Sequence, residues 1–417
     1  MIRAELVVRD LAEVATLARG PVPRVQEAMG DLGTIVDGAV AVDRGRVVWV
    51  GPERRLAGEV RLAEGGRTVR GGAGTAVPGF VDAHTHVLFA GDRAQELPLK
   101  AAGASYAEIA RRGGGLLSTV RATRAASDDR LLRETAARLE GMAATGTTSV
   151  EVKSGYALDH AGELRLLRLI PRLARRTGLR LVPTYLGAHA VPPEFAHRPD
   201  AYVAAIVRRT LPAVARGRLA RFCDVFCEPG FFTVAQTERV LRAARELGLG
   251  LKVHADEFVA SGGARLAARL HAASADHLLA TPDADRRRLA RAGVSAVVLP
   301  LTAFASSTAR RSPARELVDA GAAVALGSDC SPNTWVEGIP GVLAGAVHAG
   351  RLTPAEALTA ATVNAAHAVG LDDAGTIEVG RPADLAVFPV RSADLLGYRF
   401  DVRPRVVLRQ GKPVSPP

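Results

Sequence analysis

Cysteine, lysine and aromatic residues are all scarce in this chain. Three cysteines (Cys223, Cys227 and Cys330) among 417 residues are too few for a disulfide framework and fit a reducing compartment. No apolar run reaches the roughly 18 residues that span a bilayer; the longest, Val294 to Phe304, is broken by Pro300. Charges at Arg3, Glu5, Arg9, Asp10 and Glu13 interrupt the stretch where a secretory signal would need an apolar segment. A soluble, cytoplasmic protein is expected. Lysine occurs only at 100, 153, 252 and 412, so the other 50 of the 54 basic residues are arginine. The net charge of +11 invites a nucleic-acid reading, but aromatics make up only 4%, leaving few surfaces on which bases could stack. The arginines are scattered through helical stretches such as RLLRETAARLE, with no basic block. Neither a nucleic acid nor a membrane is expected as partner; such a surface suits the collection of a small anion.

What is present is a core, at 48% hydrophobic residues, punctuated by 42 glycines. Between residues 78 and 370 one pattern recurs: short apolar strand, polar loop, amphipathic helix, glycine. Eight strand candidates stand at 79–86, 147–155, 179–190, 222–230, 251–257, 274–279, 295–304 and 322–330. Most are near-continuous apolar runs, as for parallel strands buried on both faces. Ser127 and Thr233 are placed to cap helices, and Ser312-Pro313 to start another. The alternation predicts an α/β chain forming a (β/α)8 TIM-like barrel. The flanks read as short alternating strands, with Asp43-Arg44-Gly45 as a hairpin turn. Both ends are therefore expected to build a small β-sandwich domain, dividing the chain into 1–72, 73–370 and 371–417.

In a parallel barrel the active face lies at the C-terminal strand ends. Candidate strand ends carry His84 and His86, His189, His254, His277 and Asp329. Alone, His-Thr-His is a common coincidence, Asp276-His277 could be a helix-to-strand junction and Asp329 a turn residue. Together, at converging strand ends, imidazoles and a carboxylate suit a zinc or iron site with an open position. His160, His197, His271, His348 and His367 read as surface or packing residues, and Cys223 and Cys227 as small apolar groups.

The run PGFVDAHTH, then His254, His277, a strand-terminal Asp329 and finally GTIEVGRPADLAVF resembles the metal-dependent amidohydrolase superfamily. Within it, HTHVLFAGDRAQE, GTTSVEVKSGYALD, PTYLGAHAVPPE, DVFCEPGFF, KVHADEF and SADHL are similar, in order and spacing, to the imidazolonepropionase family of histidine degradation. That resemblance implies a hydrolase opening the cyclic amide of 4-imidazolone-5-propanoate by metal-activated water. It implies one zinc or iron ion per chain on His84, His86, His254 and Asp329, and a homodimer. It also implies catalytic roles for Asp329, His277 and Glu257. Arg93, Tyr156, His189, Glu257 and Thr334 would contact the small anionic imidazolone substrate. One departure stands out: where the family reads Asn-Pro-Gly after the aspartate, this chain has Ser331-Pro332-Asn333. Ser331 and Asn333 are expected at the substrate, with its identity the property most open to change. Related dinuclear hydrolases use a lysine on the fourth strand; here Lys153 closes the second and Glu228 the fourth. A single metal follows, with Lys153 structural or ion-paired. A deaminase or another cyclic-amide hydrolase on the same barrel is the nearest rival, and a non-catalytic barrel protein the next.

Overall fold

The computed structural model describes residues 1–104, 106–306 and 310–414. Eight parallel strands follow one another around a single sheet in chain order: Phe80–Asp82, Thr147–Lys153, Arg180–Ala188, Phe222–Cys227, Gly250–Ala255, Ser274–His277, Ser295–Val298 and Val324–Leu326. The eighth closes on the first. Ala83 N–H donates to Leu326 O at 3.3 Å, Asp329 N–H to His84 O at 3.0 Å and His86 N–H to Cys330 O at 2.9 Å. The second and fourth strands are buried along their whole length, which is why their apolar runs lack alternation. The ladder is shorter than the apolar runs suggest, because their final polar residues leave it to line the barrel mouth.

Helices pack outside. Ser127 caps Asp128–Ala144 by accepting from Arg130 N–H, and Thr233 with Gln236 forms a full capping box on Val234–Glu246. The helix at Ala314–Asp319 starts one residue later than Ser312-Pro313 suggests: Pro313 itself is the cap, and no side chain bonds there.

Both chain ends enter one seven-stranded sheet, ordered Lys412–Pro413, Val406–Arg409, Leu385–Phe388, Val60–Pro78, Ile2–Ala15, Thr34–Asp43 and Arg46–Pro52. Arg44 and Gly45, with φ of 48° and 75°, make the two-residue hairpin turn. One face buries Leu6, Val8, Val40, Leu385 and Leu408, the other Ala4, Val7, Trp49 and Leu56. The strand Val60–Pro78 ends two residues before the first barrel strand, so the sheet leads the chain directly into the site. Among the described residues, no helix is long and apolar enough to cross a membrane.

Candidate active site

His84 and His86 emerge from the first barrel strand, His254 lies in the fifth, His277 ends the sixth and Asp329 follows the eighth. Closure turns these separated residues toward one point. His86 Nε2 lies 3.2 Å from His84 Nε2 and 3.1 Å from His254 Nε2. Asp329 Oδ1 lies 3.7 Å from His84 Nε2 and 3.6 Å from His86 Nε2. Gly327 permits the seam to close: a Cβ there would meet His84 Cβ at 2.8 Å. His277 and Asp329 hold left-handed φ angles of 74° and 53°, the kind of backbone strain concentrated at functional sites.

The donor set fits a divalent cation. His84 Nδ1 donates to Asp276 Oδ2 at 2.6 Å, which leaves its Nε2 lone pair facing the cluster. His254 Nδ1 stands 3.0 Å from Asp224 Oδ2. Burial first, then competition with the neighbouring histidines and Lys153, pushes His84, His86 and His277 well below the usual imidazole range, and His189 to about 3. Neutral imidazoles are the form that ligates metal. Burial raises Asp329 to about 6 despite the hydrogen bond from Thr302. His277 and His189 lie close enough that they too could share an ion with His254 and a third histidine of the cluster.

Beneath the histidines lies a wholly buried ionic layer. Lys153 Nζ donates at 2.8 Å to both Glu151 Oε1 and Asp224 Oδ2, and lies 3.8 Å from Asp276 Oδ2. Burial opposes charge on the lysine, but Asp224, Glu151 and Asp276 outweigh it and hold the ammonium protonated beyond the ordinary lysine range. Burial would likewise raise Asp224, yet His254 and Lys153 outweigh it and keep that carboxylate ionised. One ammonium thus anchors the carboxylates behind two of the clustered histidines. Asp224 and Asp276 were not singled out from sequence; for Asp224 the available signal is an acid inside an otherwise apolar strand, whereas Asp276, in Ser274–His277, carries none.

Above the histidines opens a cavity of about 380 Å³. Arg93, Tyr156, His189, Glu257, Ser331 and Asn333 line it, together with His86, His254, His277 and Asp329. Thr334 is buried and does not line it; its N–H donates to Ser331 Oγ at 3.1 Å. His189 Nδ1 donates to Gly155 O at 3.0 Å. Arg93 is forked onto Glu96, Nε to Oε1 at 2.9 Å and Nη2 to Oε2 at 2.7 Å. Glu228 accepts the N–H groups of Glu257, Phe258 and Val259, fixing the loop that carries Glu257. Burial, then Asp329 and Glu228, push Glu257 well above the usual carboxylate range. Phe226, Phe258 and Lys100 also line the cavity; nothing in their local sequence marks them.

The amidohydrolase family model matches residues 75–414. The chain is 46% identical to the imidazolonepropionase of Symbiobacterium thermophilum over 98% of both chains. It is 45% identical to that of Syntrophobacter fumaroxidans over 94% of this chain and 93% of the relative. Among solved structures, a zinc-bound adenosine deaminase from Xanthomonas campestris aligns with a TM-score of 0.71 at 23% identity, covering 99% of this chain and 93% of that one. Zinc-complexed atrazine chlorohydrolase from Arthrobacter aurescens aligns with a TM-score of 0.65 at 19% identity, covering 98% and 95%. At those identities the structures speak for the barrel alone, whereas the full-length relatives speak for a narrower kinship. The chain belongs to the amidohydrolase family and, within it, to the imidazolonepropionases.

Proposed function

We propose that the protein hydrolyses the ring of 4-imidazolone-5-propanoate to N-formimidoyl-L-glutamate, a step of histidine degradation. The observation that carries the reading is the convergence of His84, His86 and His254 Nε2 with Asp329 Oδ1 at the floor of a cavity whose rim holds Arg93. His84, His86, His254 and Asp329 would hold one zinc or iron ion per chain; three imidazoles and a carboxylate suit either. When bound, such a cation supplies Lewis acidity that brings the pKa of water down to about 7.

The chain's own groups then divide the work. Asp329 accepts the proton of the attacking water at its carboxylate and returns it to the ring nitrogen as the C–N bond breaks. His277, held neutral by burial, stabilises charge developing on the carbonyl oxygen. Glu257, on a loop tied down by Glu228, pairs with ring N–H groups. Arg93, pre-aimed by its fork onto Glu96, attracts the propanoate arm. Tyr156 and His189 pack beside His86, with ring centroids 5.9 and 4.8 Å from it, and would confine the ring. Lys153 is fully engaged by its carboxylates, which favours one metal over two.

The test combines metal quantification with a ring-opening assay that follows the fall in ultraviolet absorbance as the imidazolone is consumed. One equivalent of zinc or iron and turnover without ammonia release are expected. Two equivalents per chain, or ammonia as product, would refute the reading.

A further inference from the structure

Two cations stand at the cavity rim, and they differ in what they hold. Arg93 spends Nε and Nη2 on Glu96, whose carboxylate also accepts Gly115 N–H at 2.7 Å. Arg93 and Glu96 are both buried and together nearly neutral. Lys100, from the short helix Leu97–Ala101, has only neutral partners: its Nζ donates to Asn333 Oδ1 at 2.8 Å and to Ala305 O at 3.4 Å. No carboxylate among the described residues forms an ion pair with it. Half-burial and the field of Arg93 weaken its hold on its proton, with Glu96 opposing, so Lys100 sits in the same electrostatic corner as that pair. The corner carries one uncompensated positive charge, and both Lys100 and Asn333 line the cavity.

Asn333 stands where the pattern that the sequence resembles has a glycine. Its amide is oriented at both ends, Oδ1 accepting from Lys100 and Nδ2 donating to Ser306 Oγ at 3.4 Å. An amide fixed this way steers an ammonium that would otherwise sweep through solvent.

We infer that Lys100, tethered by Asn333, binds the carboxylate of the substrate's arm alongside Arg93, and that Asn333 is a positioning residue acting through Lys100. The inference rests on the proposed imidazolone reading for the length of the arm, but not for its charge. A carboxylate entering the corner replaces the neutral acceptors on Nζ with a charged one, which adds compensation of the ammonium's charge to a hydrogen bond already assisted by it.

The experiment uses the metal-loaded enzyme and two unreactive probes, 3-(imidazol-4-yl)propanoate and its propanamide, with dissociation constants from calorimetry. Lys100→Met is expected to weaken the propanoate about tenfold or more and leave the propanamide within about threefold. Lys100→Arg should recover most of that loss. Asn333→Gly should raise KM for imidazolone propanoate several-fold at unchanged kcat, a split that general loosening of the fold would not give. Equal effects of Lys100→Met on both probes, or none on either, overturn the inference. Wild-type enzyme that leaves the imidazolone intact yet prefers propanoate over propanamide through Lys100 would overturn the substrate reading and leave the arm site standing.

Discussion

Replacing Lys153 by methionine tests the ionic layer directly. In the native barrel two buried ammoniums, Lys153 and Lys252, stand among three buried carboxylates, Glu151, Asp224 and Asp276. Lys153 is within 2.8 Å of two of them, whereas Lys252 approaches only Asp276, at 4.0 Å. Methionine nearly preserves volume, so packing loss is small and the deficit is electrostatic. Removing one partner of a buried pair costs about 3–5 kcal/mol, because the charge left behind has no water to replace it. Against a total stability of about 5–15 kcal/mol, that moves the urea midpoint far, with an unchanged slope if the denatured state is unaltered. Two of the stranded carboxylates sit behind His84 and His254, so metal affinity should fall about 10–100-fold, as when outer partners of ligating histidines are lost. Chelator-competition titration reads that independently of turnover. Adding Asp224→Asn should return part of the stability and none of the metal affinity. A Lys153→Met enzyme within about 1 kcal/mol of the parent and with unchanged metal affinity would show that the layer is incidental.

Asp329→Ala should abolish turnover and lower metal content in elemental analysis; near-native activity would remove it from the site. His277→Ala should keep the metal while slowing kcat about 10²–10⁴-fold, and loss of metal instead would move His277 into the ligand set. Arg93→Ala should raise KM for carboxylate-bearing substrates far more than it lowers kcat, and an unchanged KM would refute its place beside the arm. Gly155→Ala should weaken substrate binding measured by calorimetry: its φ is 98°, and the new Cβ would lie 3.1 Å from His189 Nδ1.

The barrel was legible because two-sided burial writes itself as unbroken apolar runs. The strand limits were not: Ser154 and Asp329 follow those runs directly and each keeps a main-chain bond to the neighbouring strand, to Thr184 O and His84 O, while the regular ladder has already ended. Val60–Pro78 was hidden by Glu64, Gly65, Gly66, Gly71 and Gly72; it is a strand because Ile2–Ala15 pairs beside it through several register shifts, a non-local cause that overrides propensity. The clustered histidines were readable from their position at strand ends. Asp224 and Asp276 were not, since one stands within an apolar strand and the other in the short run Ser274–His277, and only closure defines which way each points. Lys100 and Asn333, 233 residues apart, meet through two loops whose course no local pattern encodes.

The seam between the first and eighth strands has a consequence for how the enzyme would fail. His84 and Asp329 are joined across it by a main-chain hydrogen bond, and the strand feeding it, Val60–Pro78, is braced by Leu385–Phe388 from the opposite end of the chain. Clipping the carboxy-terminal segment would therefore unbrace the barrel at the very stave where the ion would sit. Damage at the chain's tail, far from the chemistry in sequence, should silence the enzyme before most of the barrel has melted.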